Sequence, residues 1–206
     1  MRILVTGFDP FGDDTVNPSW QAVKRLPDRI AGADIIRLEI PTVFGRSLEM
    51  IEKAICDTGP DAVISVGQAG GRPDITVERI AVNCIDCRIA DNEGTELHDA
   101  KIREDGPDAY FASLPYRAVT QKILEAGIPA SVSDTAGTFV CNYVMYGVRD
   151  LCTRKYPDII SGFIHVPYLP SQAAEKGGVS SMSLDQIAAG LSAACEAAAE
   201  YLKERA

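Results

Sequence analysis

With 206 residues, 46% of them hydrophobic and 24% charged, the chain is long enough for one sizeable core, and a single domain over residues 1–206 is expected. No apolar run reaches the roughly 18 residues that a bilayer span requires, and Met1-Arg2-Ile3-Leu4-Val5-Thr6-Gly7 lacks the apolar stretch and cleavage site of a secretory signal; both argue against membrane insertion and export and for a cytoplasmic location. A formal net charge of −9 without a dense Lys/Arg stripe argues against a nucleic-acid partner, because phosphate binding draws on clustered cations.

The first predicted element is a buried strand in the run Ile3–Val5. Asn17-Pro18 then starts a helix, a capping side chain followed by proline in the first turn, with Trp20, Val23 and Leu26 along its apolar stripe. A second helix carries Leu48, Ile51 and Ile55 and ends at Gly59. Ala62–Val66 is the next buried strand, and Ile75–Ile89 is strand-like for longer than a central strand runs, so it either crosses between layers or forms a hairpin. Ala90–Pro107, polar and punctuated by Gly94 and Gly106, reads as a surface excursion. Val119, Ile123 and Leu124 mark a helix before Gly127, Ala130–Val132 a strand, and Phe139, Val140, Tyr143, Val144, Val148 and Leu151 another helix. The strand Phe163–Val166 and an alanine-rich helix over Leu184–Leu202 complete the chain. Strands alternating with helices predict an α/β protein with helices on both faces of a mostly parallel sheet.

The two histidines sit in different settings. His98 lies in the acidic stretch Asp91-Asn-Glu-Gly-Thr-Glu-Leu-His-Asp99, which reads as a solvated loop, whereas His165 ends a buried strand, where an α/β sheet presents its ligand crevice. Cys141 falls in the first turn of a predicted helix. Free N–H groups and the helix dipole there favour a thiolate, which lowers a pKa of about 8.5, and the same N–H groups suit an oxyanion. Cys152 and Cys195 lie on apolar helix faces and read as inert core residues, and free thiols are expected throughout because a chain of this size does not need disulfides. Cys84-Ile-Asp-Cys87 is a lone pair that follows a strand instead of opening a helix, too little for a tetrahedral metal site or a redox pair. No metal and no cofactor is expected.

Two glycine-rich turns follow strands. Gly67-Gln-Ala-Gly-Gly-Arg72 lacks the Lys-Ser/Thr of a phosphate loop but lets backbone approach a flat polar ligand, and Gly7-Phe-Asp-Pro-Phe-Gly12 offers two phenylalanines as pocket walls or as core. Glu78 is either one partner of a surface ion pair or the carboxylate that orients His165. Spacing does not choose between them.

Taken together, Thr6-Gly-Phe-Asp-Pro-Phe-Gly12, Gly67-Gln-Ala-Gly-Gly-Arg72 with Glu78-Arg-Ile-Ala-Val-Asn83, Ser133-Asp-Thr-Ala-Gly-Thr-Phe-Val-Cys-Asn-Tyr143 and Phe163-Ile-His-Val-Pro-Tyr168 resemble, in order and over nearly the whole chain, the cysteine peptidase family of pyroglutamyl-peptidase I. The resemblance implies an α/β/α sandwich and a cofactor-independent peptidase that removes an N-terminal pyroglutamyl residue from peptides through a thioester. It implies Cys141 as nucleophile, His165 as base and Glu78 as orienting acid. It also implies a lactam pocket walled by Phe8, Phe11, Phe139 and Val140, with Gln68 and Asn17 as polar lining and Arg88 beside the site. A homo-oligomer, often a tetramer, is implied as well. Apolar walls with a few hydrogen-bonding groups suit a neutral, flat lactam that has no free α-amine. Two rivals stand beside this reading: a phosphate-using enzyme such as a nucleoside phosphorylase, and a binding domain that kept the fold without turnover.

Overall fold

The computed structural model describes residues 1–205. In chain order the elements are β1 (Arg2–Phe8), α1 (Pro18–Val23), β2 (Arg29–Ile30), β3 (Ala33–Ile40), α2 (Arg46–Thr58), β4 (Ala62–Gln68), β5 (Ile75–Glu78), β6 (Ile80–Val82), β7 (Ala109–Phe111), α3 (Tyr116–Glu125), β8 (Ala130–Ser133), α4 (Val140–Lys155), β9 (Ile160–Val166), α5 (Pro170–Glu175) and α6 (Leu184–Arg205). Seven strands form one sheet in the order β2-β3-β1-β4-β9-β5-β8. The pairings β1·β3, β1·β4, β4·β9 and β5·β8 are parallel, and β2·β3 and β5·β9 are antiparallel. The sheet is therefore mostly parallel, as the alternation of elements predicts.

Side-chain alternation along the central strands divides the core in two. Ile3 and Val5 of β1, Ile64 and Val66 of β4 and Ile164 and Val166 of β9 face α1, α3 and α6, where Val23, Ile123, Leu191 and a run of buried alanines complete the layer. Leu4, Phe8, Val63 and Phe163 face the opposite way, onto Ile51 and Ile55 of α2 and Val144 and Val148 of α4. Helices thus cover both faces, an α/β/α sandwich. No helix among the described residues is long and apolar enough to cross a membrane.

Local signals place several element ends. Asn17 caps α1, its Oδ1 accepting from Ser19 N at 3.1 Å, with Pro18 in the first turn. Gly59, at φ 54°, closes α2 by donating its N–H to Ile55 O at 2.9 Å.

The long strand-like segment crosses between layers. β5 stays in the main sheet while β6 pairs with β7 in a separate two-stranded ribbon. Between them Arg79 donates its N–H to Ser133 O and accepts from Ala112 N, so one residue serves both sheets. β3 has no counterpart among the predicted strands, because its alternation of Ile and Leu with Asp, Arg and Glu hides it from a search for apolar runs. The excursion over residues 90–107 is mostly exposed, as predicted, yet one carboxylate ties it down. Buried Asp91 accepts from Phe44 N, Glu93 N and Thr95 N at 2.9–3.0 Å.

Candidate active site

Cys141 is the second residue of α4, whose preceding residue Phe139 is extended and supplies no side-chain cap. The N–H groups of Val140, Cys141 and Asn142 therefore lie in a first turn with no intrahelical acceptor, open to a ligand oxygen. What lets the sulfur settle against the sheet is Gly67 on β4. A Cβ there would lie 2.8 Å from Cys141 Sγ and 2.9 Å from Phe163 Cζ, closer than real contacts allow. Gly67 is also the register partner of His165 across the β4·β9 pairing, and paired strands run about 4.8 Å apart, so the thiol sits over the residue next to the imidazole. Behind Cys141, fully buried Asn142 accepts from Val82 N at 3.0 Å and donates to Val82 O and Cys84 O at 2.9 and 3.0 Å. That bracket fixes the start of α4 to β6.

His165 belongs to β9, and its neighbours Thr76 and Glu78 come from β5, which runs antiparallel beside it. Glu78 is fully buried and accepts from His165 Nδ1 at 2.7 Å. Because a carboxylate only accepts, this bond fixes the proton on Nδ1 and leaves the neutral ring's lone pair on Nε2. The same Oε1 accepts from Arg72 Nη1 at 2.6 Å, while Oε2 has no partner among the described residues. Burial pushes the Glu78 carboxyl up, but its bonds to His165, Ser133 and Arg72 outweigh this and hold it below the usual carboxylate range.

The Cys141 thiol moves in the opposite direction from the helix-dipole expectation. Burial, reinforced by the Glu78 charge and partly offset by Arg72, pushes it up to about 12. Raised in this way, Cys141 rests as a neutral thiol that requires a base to become a nucleophile.

Cys141 and His165 open onto one cavity of about 220 Å³. Phe8, Phe11 and Phe139 supply its aromatic walls, with the Phe11 and Phe139 rings 6.4 Å apart, and Phe44 braces Phe139 edge-on at 5.6 Å. Asn17 and Gln68 give it polar lining. Gln68 is itself held in place. Its Nε2 donates to Asp14 Oδ2 at 3.1 Å, its Oε1 accepts from Gln172 Nε2 at 2.9 Å, and Lys176 pairs with the other Asp14 oxygen at 3.0 Å.

Two expected pocket residues lie elsewhere. Val140 is fully buried in the core between α4 and the sheet, because the first helical position turns its side chain inward away from the cavity. Arg88 lines a neighbouring space of about 380 Å³ with Asp86 and Ile89, which shares Gly137 and Phe139 with the first. Sequence reasoning missed Thr42, Ala69, Arg72, Ala136 and Gly137, which all line the main cavity. All but Thr42 fall inside the quoted motifs, which was the available signal. His98 is exposed and pairs with Asp86 and Glu96, as its acidic loop predicts.

A chain with this geometry has close relatives. The sequence model of a family described as pyroglutamyl peptidase matches residues 1–201. A pyrrolidone-carboxylate peptidase of Finegoldia magna is 55% identical over 197 residues, covering 96% of this chain and 92% of the relative. One from Clostridium perfringens is 56% identical over 191 residues, 93% of this chain and 90% of its own length. Among solved structures, Bacillus amyloliquefaciens pyroglutamyl peptidase I superposes with a TM-score of 0.94 at 48% identity, covering 97% of each chain.

Proposed function

Because the chain belongs to the pyroglutamyl peptidase family, we propose that the Cys141, His165 and Glu78 cluster carries the reaction of that family. The protein is a cysteine peptidase that removes an N-terminal pyroglutamyl residue from peptides. Glu78 holds the Nδ1 proton of His165, and Nε2 takes the Cys141 proton as the sulfur attacks the pyroglutamyl carbonyl. First-turn N–H groups of α4 receive the oxyanion. On collapse, the C–N bond breaks, His165 gives its proton to the leaving amine and a thioester remains. His165 then deprotonates a water that attacks the thioester, pyroglutamate leaves and the sulfur regains a proton.

The observation that supports this reading is a thiol and a carboxylate-held imidazole facing one aromatic-walled cavity. Phe8, Phe11 and Phe139 take the lactam ring, and Asn17 and Gln68 its polar edge. Arg88 and Val140 act outside that wall, Arg88 in the adjoining space and Val140 by packing the start of α4. The proposal extends to one catalytic unit over residues 1–206 that acts as a cytoplasmic homo-oligomer, a tetramer on family resemblance.

Release of a fluorescent amine from a pyroglutamyl amide tests the reading. Wild type is expected to turn over this amide and not the alanyl amide, and Cys141→Ser and His165→Ala to lose about a thousandfold or more in kcat/KM. A well-folded wild type without turnover under reducing conditions would overturn it.

A further inference from the structure

We propose that Arg72 is a positioning residue of this reaction, which shares Glu78 Oε1 with His165 and thereby keeps the imidazole an oriented, neutral base; the proposal rests on the peptidase reading above. Three contacts define its place. Arg72 Nη1 reaches Glu78 Oε1 at 2.6 Å and also Thr76 Oγ1, and Nη2 donates to Thr135 O at 3.0 Å. Thr76 and Glu78 are two residues apart on β5 and so face one side of the sheet, the side on which His165 stands, since Thr76 is the register partner of His165. Thr135 belongs to the loop that carries the cavity residues Ala136, Gly137 and Phe139 into the helix of Cys141. One planar guanidinium therefore connects the carboxylate, the strand beside the base and the loop leading to the nucleophile.

The electrostatic consequence follows from charge bookkeeping alone. A buried carboxylate bonded to an imidazole favours the imidazolium. A protonated ring cannot take a proton from a neutral thiol, and burial leaves Cys141 neutral. A cation on the same carboxylate oxygen offsets that bias. Arg72 also lowers the proton affinity of Cys141, the direction needed as negative charge develops on sulfur. Among the described residues, Glu78 is the one ion-pair partner of His165. Its second neighbour strand, β4, offers Gly67 and Gln68, and Asp14 and Lys176 pair with each other beside Gln68.

The test is the pH profile of kcat/KM for wild type, Arg72→Met and Arg72→Lys. Arg72→Met is expected to move the acid limb up by about one pH unit, which is about tenfold in kcat/KM on the acid side. Arg72→Lys keeps the charge and loses the fork, so its acid limb stays within about 0.3 units while kcat falls several-fold. The ring signals of His165 in NMR, one of two histidines and assignable with His98→Gln, are expected to follow the acid limb. If Arg72→Met does not fold, Arg72→Gln carries the same expected shift. An acid limb and ring signals that stay put in the neutral variant, with only KM raised, would reduce Arg72 to a pocket wall. Absence of turnover in folded wild type would sink the peptidase reading instead, so the two failures are distinct.

Discussion

Two thiols on opposite faces of the same sheet make an instructive pair. Cys195 of α6 lies in the alanine-rich layer with α1 and α3, and Cys141 of α4 lies on the other side, over Gly67. Burial pushes both up to about 12. Acidity therefore does not distinguish them. For Cys195 burial is the sole cause, and its neighbours are apolar side chains. For Cys141 a carboxylate and a guanidinium also contribute, a histidine stands one strand away, and a cavity opens beside the sulfur. A cysteine becomes a nucleophile here through the base and the space next to it, not through a thiol that is already ionised.

The comparison breaks most directly under alkylation. Iodoacetamide is expected to label Cys141 and abolish activity while leaving Cys195 unmodified in the folded protein, read by peptide mass spectrometry. Labelling of Cys195 alone accompanied by loss of activity would reverse the assignment. A smaller effect follows from the floor under the nucleophile. Gly67→Ala introduces a Cβ 2.8 Å from Cys141 Sγ and 2.9 Å from the Phe163 ring, so the sulfur must swing away from His165, and kcat is expected to fall by about 10- to 100-fold with KM changed less. Unaltered kcat in this variant would show that the thiol does not rest on β4 during the reaction.

The smallest effect sharpens what the two thiols share. Both have folded values raised from 9.0 to about 12, so below pH 9 they add no pH dependence, and above it the unfolded chain releases protons that the folded one keeps. Stability is then lost as pH rises from about 9 towards 12, at up to about 1.4 kcal/mol per pH unit for each thiol. Cys195→Ala is expected to make alkaline unfolding shallower by up to that slope without altering kcat, measured by urea melts between pH 8 and 10.5. An unchanged slope would mean that Cys195 is not kept protonated by burial.

Much of the architecture is legible in the chain. The apolar runs at Ile3–Val5, Ala62–Val66 and Phe163–Val166 lie inside β1, β4 and β9, and the caps at Asn17 and Gly59 act as their residue types predict. β3 escapes because this strand near the sheet edge carries Asp34, Arg37 and Glu39 between its apolar residues. α5 escapes because six residues offer too little periodicity to detect. Within the site, motif order singles out Cys141, His165 and Glu78, yet a helix-dipole argument alone gives the wrong direction for the thiol. Local position says nothing about how much water surrounds a sulfur. Val140 shows the same limit, since helical register decides which neighbour of Cys141 meets the sheet and which meets the cavity.

The sequence by itself determined the alternation of strands and helices, the residue types capable of nucleophilic chemistry and the four motifs that carry the family resemblance, because each depends on neighbours within a few residues. Only the tertiary structure decided that Glu78 reaches His165 across 87 positions of chain, that Arg72 takes the same carboxylate oxygen, and that of two thiols pushed up alike one faces a base and a cavity while the other is sealed in the core. Those relations depend on which strands lie side by side and on how far water is excluded, quantities that exist only once distant segments have packed.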